Sequence, residues 1–233
     1  ILSSDVYEGR KTGTRENQMA ANYIVSRFKD IGLNFYQDSF KHPFTFRNPK
    51  GQTLMGTNLI GYIKGKSDRV IVISAHYDHI GISHFLINNG ADDNASGVAG
   101  LLAMAAYFKE HKPHNTLMFI AFDAEEQGLQ GAYAFTKNPV FDGSRIKMNI
   151  NMDMISHNDK GELYAAGAFK NPVLKKMLKN ADKETGIKII FGHDDPKLGK
   201  DDWTMQSDQG PFAKENIPFI YFGVEDHEDY HKP

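Results

Sequence analysis

The sequence predicts a three-layer α/β/α sandwich around a mostly parallel mixed sheet, with residues 1–233 forming a single domain. Three observations carry this expectation. The short unbroken apolar runs in "RVIVISAH", "TLMFIAFD" and "PFIYFGV" suit strands buried on both faces. They alternate with stretches of helical periodicity, the signature of an α/β layered fold. With 40% of 233 residues hydrophobic, the chain can bury one substantial core, and no repeat, low-complexity tract or linker divides it.

Taken in order, "RENQMAANYIVSRFKDIG" places Met19, Tyr23, Ile24, Phe28 and Ile31 on one helical stripe closed by Gly32. "FTFR" and "TNLIGYIKGK" read as antiparallel strands with a glycine turn at Gly65, forming an edge of the sheet. "RVIVISAH" is a strand, "NASGVAGLLAMAAYFKEH" a helix, and "TLMFIAFD" a second buried strand. Helix "QGLQGAYAFTKN", strand "KMNINMD", helix "PVLKKMLKNADKETG" and strand "IKIIFG" follow. The polar stretch 192–209 reads as a long functional loop. A short helix "GPFAKEN" and a strand "PFIYFGV" complete the order.

Several function classes fall away on composition. The 27 basic and 29 acidic residues are well mixed, so there is no footprint for nucleic acid or an anionic membrane surface. No stretch reaches the roughly 18 consecutive apolar residues needed to span a bilayer. The start "ILSSDVYEGR" has neither signal-peptide features nor an initiator Met, which fits a processed or trimmed chain. Without Cys, any metal site must be built from His, Asp and Glu.

Such residues gather at the ends of the expected strands, where open α/β sheets form their binding crevices. His76 follows "VIVIS", Glu125 and Glu126 follow "FIAFDA", Asp153 follows "NINM", and His231 lies in the loop after "FIYFGV". Asp93 lies in "GADDNASG", just before the second helix. Two imidazoles and three carboxylates suit zinc, and could hold two ions if one carboxylate bridges. Asp78, two residues beyond His76, would lie on the same side of an extended segment and accept a hydrogen bond from its imidazole. His79 falls off that register and is left outside the site. Adjacent side chains diverge by about 100° on a helix or face opposite ways on a strand, so Glu125 and Glu126 are expected to do different jobs.

In this order, "SAHYDHIG", "GADDNASGVAGLL", "FDAEEQGLQGA", "NMDMI", "SDQGPFAKENIP" and "EDYHKP" resemble the M28 family of zinc peptidases, most closely its compact bacterial aminopeptidases. "LSSDVYEGRKTGT" also looks like the start of that catalytic domain. The resemblance implies two Zn2+ ions bridged by Asp93, one completed by His76 and Asp153 and the other by Glu126 and His231. It implies Glu125 as general base, Asp78 as the partner of His76, and Tyr230 as a group that polarises the scissile carbonyl. His227 is the alternative to His231. Asp92 reads as structural, and His42, His84, His111, His114, His157 and His193 as surface or packing residues. The chain departs from the family in reading "SDQ" at 207–209 where many members have "SDH", and in stopping at Pro233.

The implied activity is hydrolysis of the N-terminal peptide bond of peptides, by a monomer in the periplasm or outside the cell. Three readings compete with it: a single-zinc glutaminyl cyclase, a carboxypeptidase, and a non-catalytic receptor-like homologue. Phe85, Leu86, Trp203, Met205 and Tyr221 are candidates to line the substrate pocket, while Glu225, Asp226, Glu228 and Asp229 read as a solvated loop.

Overall fold

The computed structural model describes residues 1–179 and 186–233. Helix α1 (Arg15–Ile31) is capped by Thr14, whose side chain accepts a hydrogen bond from the Asn17 amide, and ends at Gly32 in the left-handed conformation. Strands β1 (Lys41–Arg47) and β2 (Thr53–Ile63) pair antiparallel. β3 (Ser67–His76) leads into a small hairpin of β4 (Gly81–Ser83) and β5 (Leu86–Asn88), then into α2 (Gly97–Glu110). Next come β6 (Asn115–Phe122), α3 (Gln130–Lys137), β7 (Ile146–Met152), β8 (Glu162–Ala166) and α4 (Pro172–Leu178). The rest of the helix expected over "PVLKKMLKNADKETG" runs into residues outside those described. β9 (Lys188–Phe191), two 3-10 turns (Pro196–Asp201 and Trp203–Met205), α5 (Gln209–Lys214) and β10 (Phe219–Gly223) complete the order.

Eight strands form one sheet in the order β1-β2-β6-β3-β7-β10-β8-β9. Its centre, β6, β3, β7 and β10, is parallel, and the β1–β2, β2–β6 and β10–β8 pairings are antiparallel. The mixed sheet and its antiparallel edge agree with the expectation. Three details differ. Gly65 does not turn a hairpin, because β6 lies between β2 and β3; its amide donates to Thr116 Oγ1 at 3.2 Å as the chain passes over the start of β6. A Cβ at Gly65 would sit 2.3 Å from the Asn115 carbonyl carbon, so only glycine fits this crossing. Strand β8 and the β4–β5 hairpin were not expected, being too short and too half-exposed to leave an apolar run.

Alternation along the central strands sorts side chains onto two faces. Leu117, Phe119 and Ala121 of β6 join Ile73 and Ala75 of β3 under α1 and α2, packed against Ile24, Phe28, Val98 and Leu101. Met118, Ile120 and Phe122 face the other way with Val70 and Val72, under Ala132 and Phe135 of α3 and Phe212 of α5. The β3-to-β6 connection therefore carries its helix on one face, and the β6-to-β7 connection on the other. Adjacent strands whose chains leave to opposite faces open a crevice beyond their carboxyl ends. That crevice lies at His76, which pairs with Phe122 at the last rung of β3 and β6.

Phe28 is fully buried in the first of these cores. Phe28→Ala should cost about 3–5 kcal/mol, a fall in Tm of roughly 6–20 °C for a domain of this size. A thermal melt that moves by less than about 3 °C would contradict this assignment of the core.

Candidate active site

His76 ends β3, and its Nε2 lies 3.2 Å from Asp93 Oδ1 and 3.1 Å from Asp153 Oδ1. Asp153 directly follows β7, and Met154 beyond it takes a left-handed φ of 57°. Asp93 sits on the turn that feeds α2, joined to Asn94 by a cis peptide bond. Asn94 fixes this turn to the end of β7: its Nδ2 donates to Met152 O at 2.9 Å, while its Oδ1 accepts from the Gly97 amide at 2.8 Å.

The other oxygen of Asp93 faces a second group. His231 Nε2 lies 3.0 Å from Asp93 Oδ2 and 3.6 Å from Glu126 Oε2. His79 Nδ1 lies 2.7 Å from Glu126 Oε1 and 3.6 Å from Asp93 Oδ2. All eight predicted site residues thus converge around the strand ends or their supports, and one further residue, His79, joins them. An extended register through "HYDH" predicts His79 outside the site, but β3 ends at His76 and the alternation stops there. His227 does not reach Asp93; its Nε2 lies 3.2 Å from Asp92 Oδ2 instead.

Asp78 supports the site by a different route from the one expected. His76 Nδ1 is held by the main-chain carbonyl of Asp78 at 3.1 Å, with the carboxylate farther off at 3.7 Å. The carboxylate accepts from the amides of Glu125 at 3.0 Å and Glu126 at 3.4 Å, and lies 3.1 Å from Thr12 Oγ1, whose single proton it shares with Asp123. Asp78 therefore orients the turn that carries both glutamates. Asp123 anchors the same turn, accepting from Thr12 Oγ1, Asn17 Nδ2, the Ala124 amide and the Thr57 amide at 2.9–3.1 Å.

Arg10 lies beneath this assembly, fully buried. Its guanidinium donates to the carbonyls of Tyr77 at 2.9 Å, Leu2 and Asn89 at 2.7 Å, and Gly90 at 3.0 Å. Gly90 has a φ of 56°, and a Cβ there would meet Asp93 O at 2.1 Å and His79 Cδ2 at 2.6 Å. Burial lowers the Arg10 pKa to about 10, although the fields of Asp78, Asp93 and Glu126 oppose that change.

Burial also works against ionisation of Asp93, but hydrogen bonds with His231 and His76 more than offset it and hold this carboxyl well below the usual carboxylate range. Glu125 belongs to neither donor group. Burial pushes its carboxyl well above the ordinary value, reinforced by the charges of Asp153, Asp208 and Glu126 and opposed by His76. Asp208, which sequence reasoning did not single out, is buried with both oxygens lacking a hydrogen-bond partner among the described residues, and burial raises it to about 7.

The donors fit a metal. His76, Asp93 and Asp153 present one ligand atom each within 4.8 Å of one another, as do His79, Asp93 and Glu126. Two ligands on one tetrahedral zinc, each about 2.05 Å from it, stand about 3.3 Å apart. The separations of 3.1 and 3.2 Å in the first group match that figure, as do 3.0 and 3.6 Å between His231 and its two carboxylates. The 2.7 Å between His79 and Glu126 is shorter than that figure, while the 3.0 and 3.1 Å contacts of His231 and His76 lie within the hydrogen-bond range as well.

Tyr230 is part-exposed, with its ring stacked on that of His231 at 3.9 Å. Burial and the acids around it raise its pKa. Of the expected pocket residues, Trp203 and Tyr221 line a cavity of about 470 Å³ that also touches Asp153 and Tyr230. His193 stacks on Trp203 at 3.7 Å. Phe85 and Leu86 instead stand exposed on the β4–β5 hairpin, and Met205 does not line the cavity.

Among solved structures, a glutaminyl cyclase of Porphyromonas gingivalis superposes with a TM-score of 0.77 at 19% identity, covering 97% of this chain and 83% of that one. A Zn-dependent exopeptidase from Parabacteroides distasonis gives 0.75 at 19%, covering 97% and 84%. At this identity the likeness establishes the fold alone. The profile of peptidase family M28 matches residues 58–233, and the chain belongs to that family. Leucine aminopeptidase 1 of Pyrenophora tritici-repentis is 33% identical over 189 residues, 74% of this chain and 46% of that protein. The chain spans much less of other curated relatives, such as 16% of the vacuolar membrane protease of Kluyveromyces lactis.

Removing the Arg10 guanidinium leaves the carbonyls of Leu2, Tyr77 and Asn89 without their donor and Gly90 O with the Ala95 amide alone. Arg10→Met should destabilise the fold by about 3–5 kcal/mol, as expected for losing a buried charged partner. The measurement is a guanidinium chloride titration, where the midpoint should fall at constant slope. An unmoved midpoint would show that the carbonyls are satisfied without Arg10.

Proposed function

We propose that this chain is a zinc-dependent aminopeptidase that hydrolyses the N-terminal peptide bond of peptides, with Glu125 as general base. The observation that carries the proposal is Asp93, which turns one carboxylate oxygen to each of two donor groups while Glu125 stands outside both. His76, Asp93 and Asp153 would hold one ion, and Asp93, Glu126 and His231 the other. His79 would hold Glu126 in place by a hydrogen bond rather than ligate.

When bound, zinc would supply Lewis acidity and lower the pKa of water. Glu125 takes the proton from the attacking water and returns it to the leaving amine nitrogen. Its burial favours the protonated form, and the charge of a bound cation would work in the opposite sense. Tyr230 donates a hydrogen bond to the carbonyl oxygen as charge develops there. The cavity with Trp203 and Tyr221 receives the first side chain of the substrate. An exported location suits the resemblance to compact bacterial enzymes, and no described helix is long and apolar enough to cross a membrane.

Replacing the base and replacing a ligand should have separable effects. Glu125→Gln should keep its zinc but lose turnover of a chromogenic aminoacyl amide by about 10²–10⁴-fold, whereas Glu126→Ala should lose one zinc equivalent. Near wild-type turnover in Glu125→Gln would remove it from the role of base. The likeness to the Porphyromonas cyclase favours a second reading, cyclisation of an N-terminal glutamine. A Gln-initiated peptide separates the two: release of ammonia without hydrolysis would replace the aminopeptidase reading with the cyclase one.

The two histidines of the second group can be told apart in the same way. His231→Gln should lower the zinc content by one equivalent, while His79→Gln should retain it and weaken binding. If His79→Gln empties the site and His231→Gln does not, the ligand roles are exchanged.

A further inference from the structure

The loops that follow β7 and β10 meet a second time, beside the Asp93–Glu126 centre and through other side chains. His157 and His227 face each other there with ring centroids 4.0 Å apart, and Asp229 Oδ2 lies 4.0 Å from His157 Nδ1. One donor atom from each residue lies within 4.8 Å of the other two. All three line a cavity of about 390 Å³ that also reaches Asp92 and, on its far side, His79, Asp93 and His231.

His227 is held in a particular way. Its Nε2 lies 3.2 Å from Asp92 Oδ2, and the other oxygen of Asp92 accepts from the Ser156 amide at 2.8 Å and Ser156 Oγ at 2.7 Å. With Asp92 accepting from Nε2–H, the tautomer that satisfies this contact carries its lone pair on Nδ1. That Nδ1 is buried and has no hydrogen-bond partner among the described residues. Ring packing alone accounts for the His157–His227 contact, but it leaves a buried nitrogen unsatisfied, which is costly. A carboxylate on one ring nitrogen and an open lone pair on the other is the arrangement found at metal-ligating histidines.

We propose that His157, His227 and Asp229 form a binding site for a divalent transition metal such as Zn2+, separate from the centre around Asp93, whose ion cross-links the loops after β7 and β10. Two imidazoles and one carboxylate are a donor set that zinc accepts, with a fourth position left for water. Tyr230 and His231 directly follow Asp229, so an ion here restrains the segment that carries them. The inference stands on residues that take no part in the proposed catalysis.

Equilibrium dialysis against micromolar Zn2+, followed by elemental analysis, tests it. His157→Ala and Asp229→Ala remove exposed side chains, and each should bind one zinc fewer than the unaltered protein with an unchanged far-UV circular dichroism spectrum. Adding His157→Ala to Glu126→Ala should remove a further equivalent beyond that lost by Glu126→Ala alone, which keeps this site distinguishable from the catalytic one. Equal zinc content with and without His157 and Asp229 would overturn the proposal.

Discussion

Too many negative charges share one end of this sheet, and most of the local structure answers to that constraint. Asp78, Asp93, Asp123, Asp153 and Asp208 are buried there, with Glu125 and Glu126 half-buried among them. Arg10 is the only buried arginine or lysine among the described residues. Carboxylates this close are tolerated when each is met by donors or cations. Asp78 and Asp123 are met by hydroxyl and amide groups, and Asp93 by imidazoles. A field that favours protonated imidazoles also attracts a metal cation, which competes with the proton for the same lone pairs. The donor geometry and the charge imbalance therefore argue for the same ligand from independent directions.

The sheet provides the precision this requires. His76 and Asp153 stand at the ends of parallel strands that flank one another, so their separation is set by strand spacing and not by loop conformation. Glu125 and Glu126 depend on a turn, and the turn is pinned at both acids that flank it in space, Asp78 and Asp123. Arg10 then ties the segments at Tyr77 and at Asn89–Gly90 to the N-terminal 3-10 turn Asp5–Arg10. Support thus reaches the site from both the sheet and a peripheral segment that contributes no ligand.

The periodicity made the central layers legible before any coordinates. The unbroken apolar run of Leu117, Met118, Phe119 and Ile120 announces a strand buried on both faces, and the structure divides it between two cores. Donor residues at the strand ends were legible for the same reason. What escaped was set by tertiary contacts. His79 needed the knowledge that β3 stops at His76. Arg10 carries no local mark of burial, since its partners are carbonyls up to 80 residues away. Gly65 reads as a hairpin glycine until β6 is known to lie between the strands it joins. The Asp78 carboxylate was assigned to the imidazole beside it in sequence, yet its bonds go to amides 47 and 48 residues on.

The spread of the donors along the chain has a consequence for the order in which the protein acquires its structure during synthesis. His76, Asp93 and Asp153 are all present once the first two-thirds of the chain has emerged, and the His76–Asp153 contact spans 77 residues. The second group must wait for His231, because its contact with Asp93 spans 138 residues. Closing so long a loop is entropically expensive. A nascent chain would therefore carry one half of its centre, and a bare set of carboxylates facing it, for the time taken to translate the final strand and its loop.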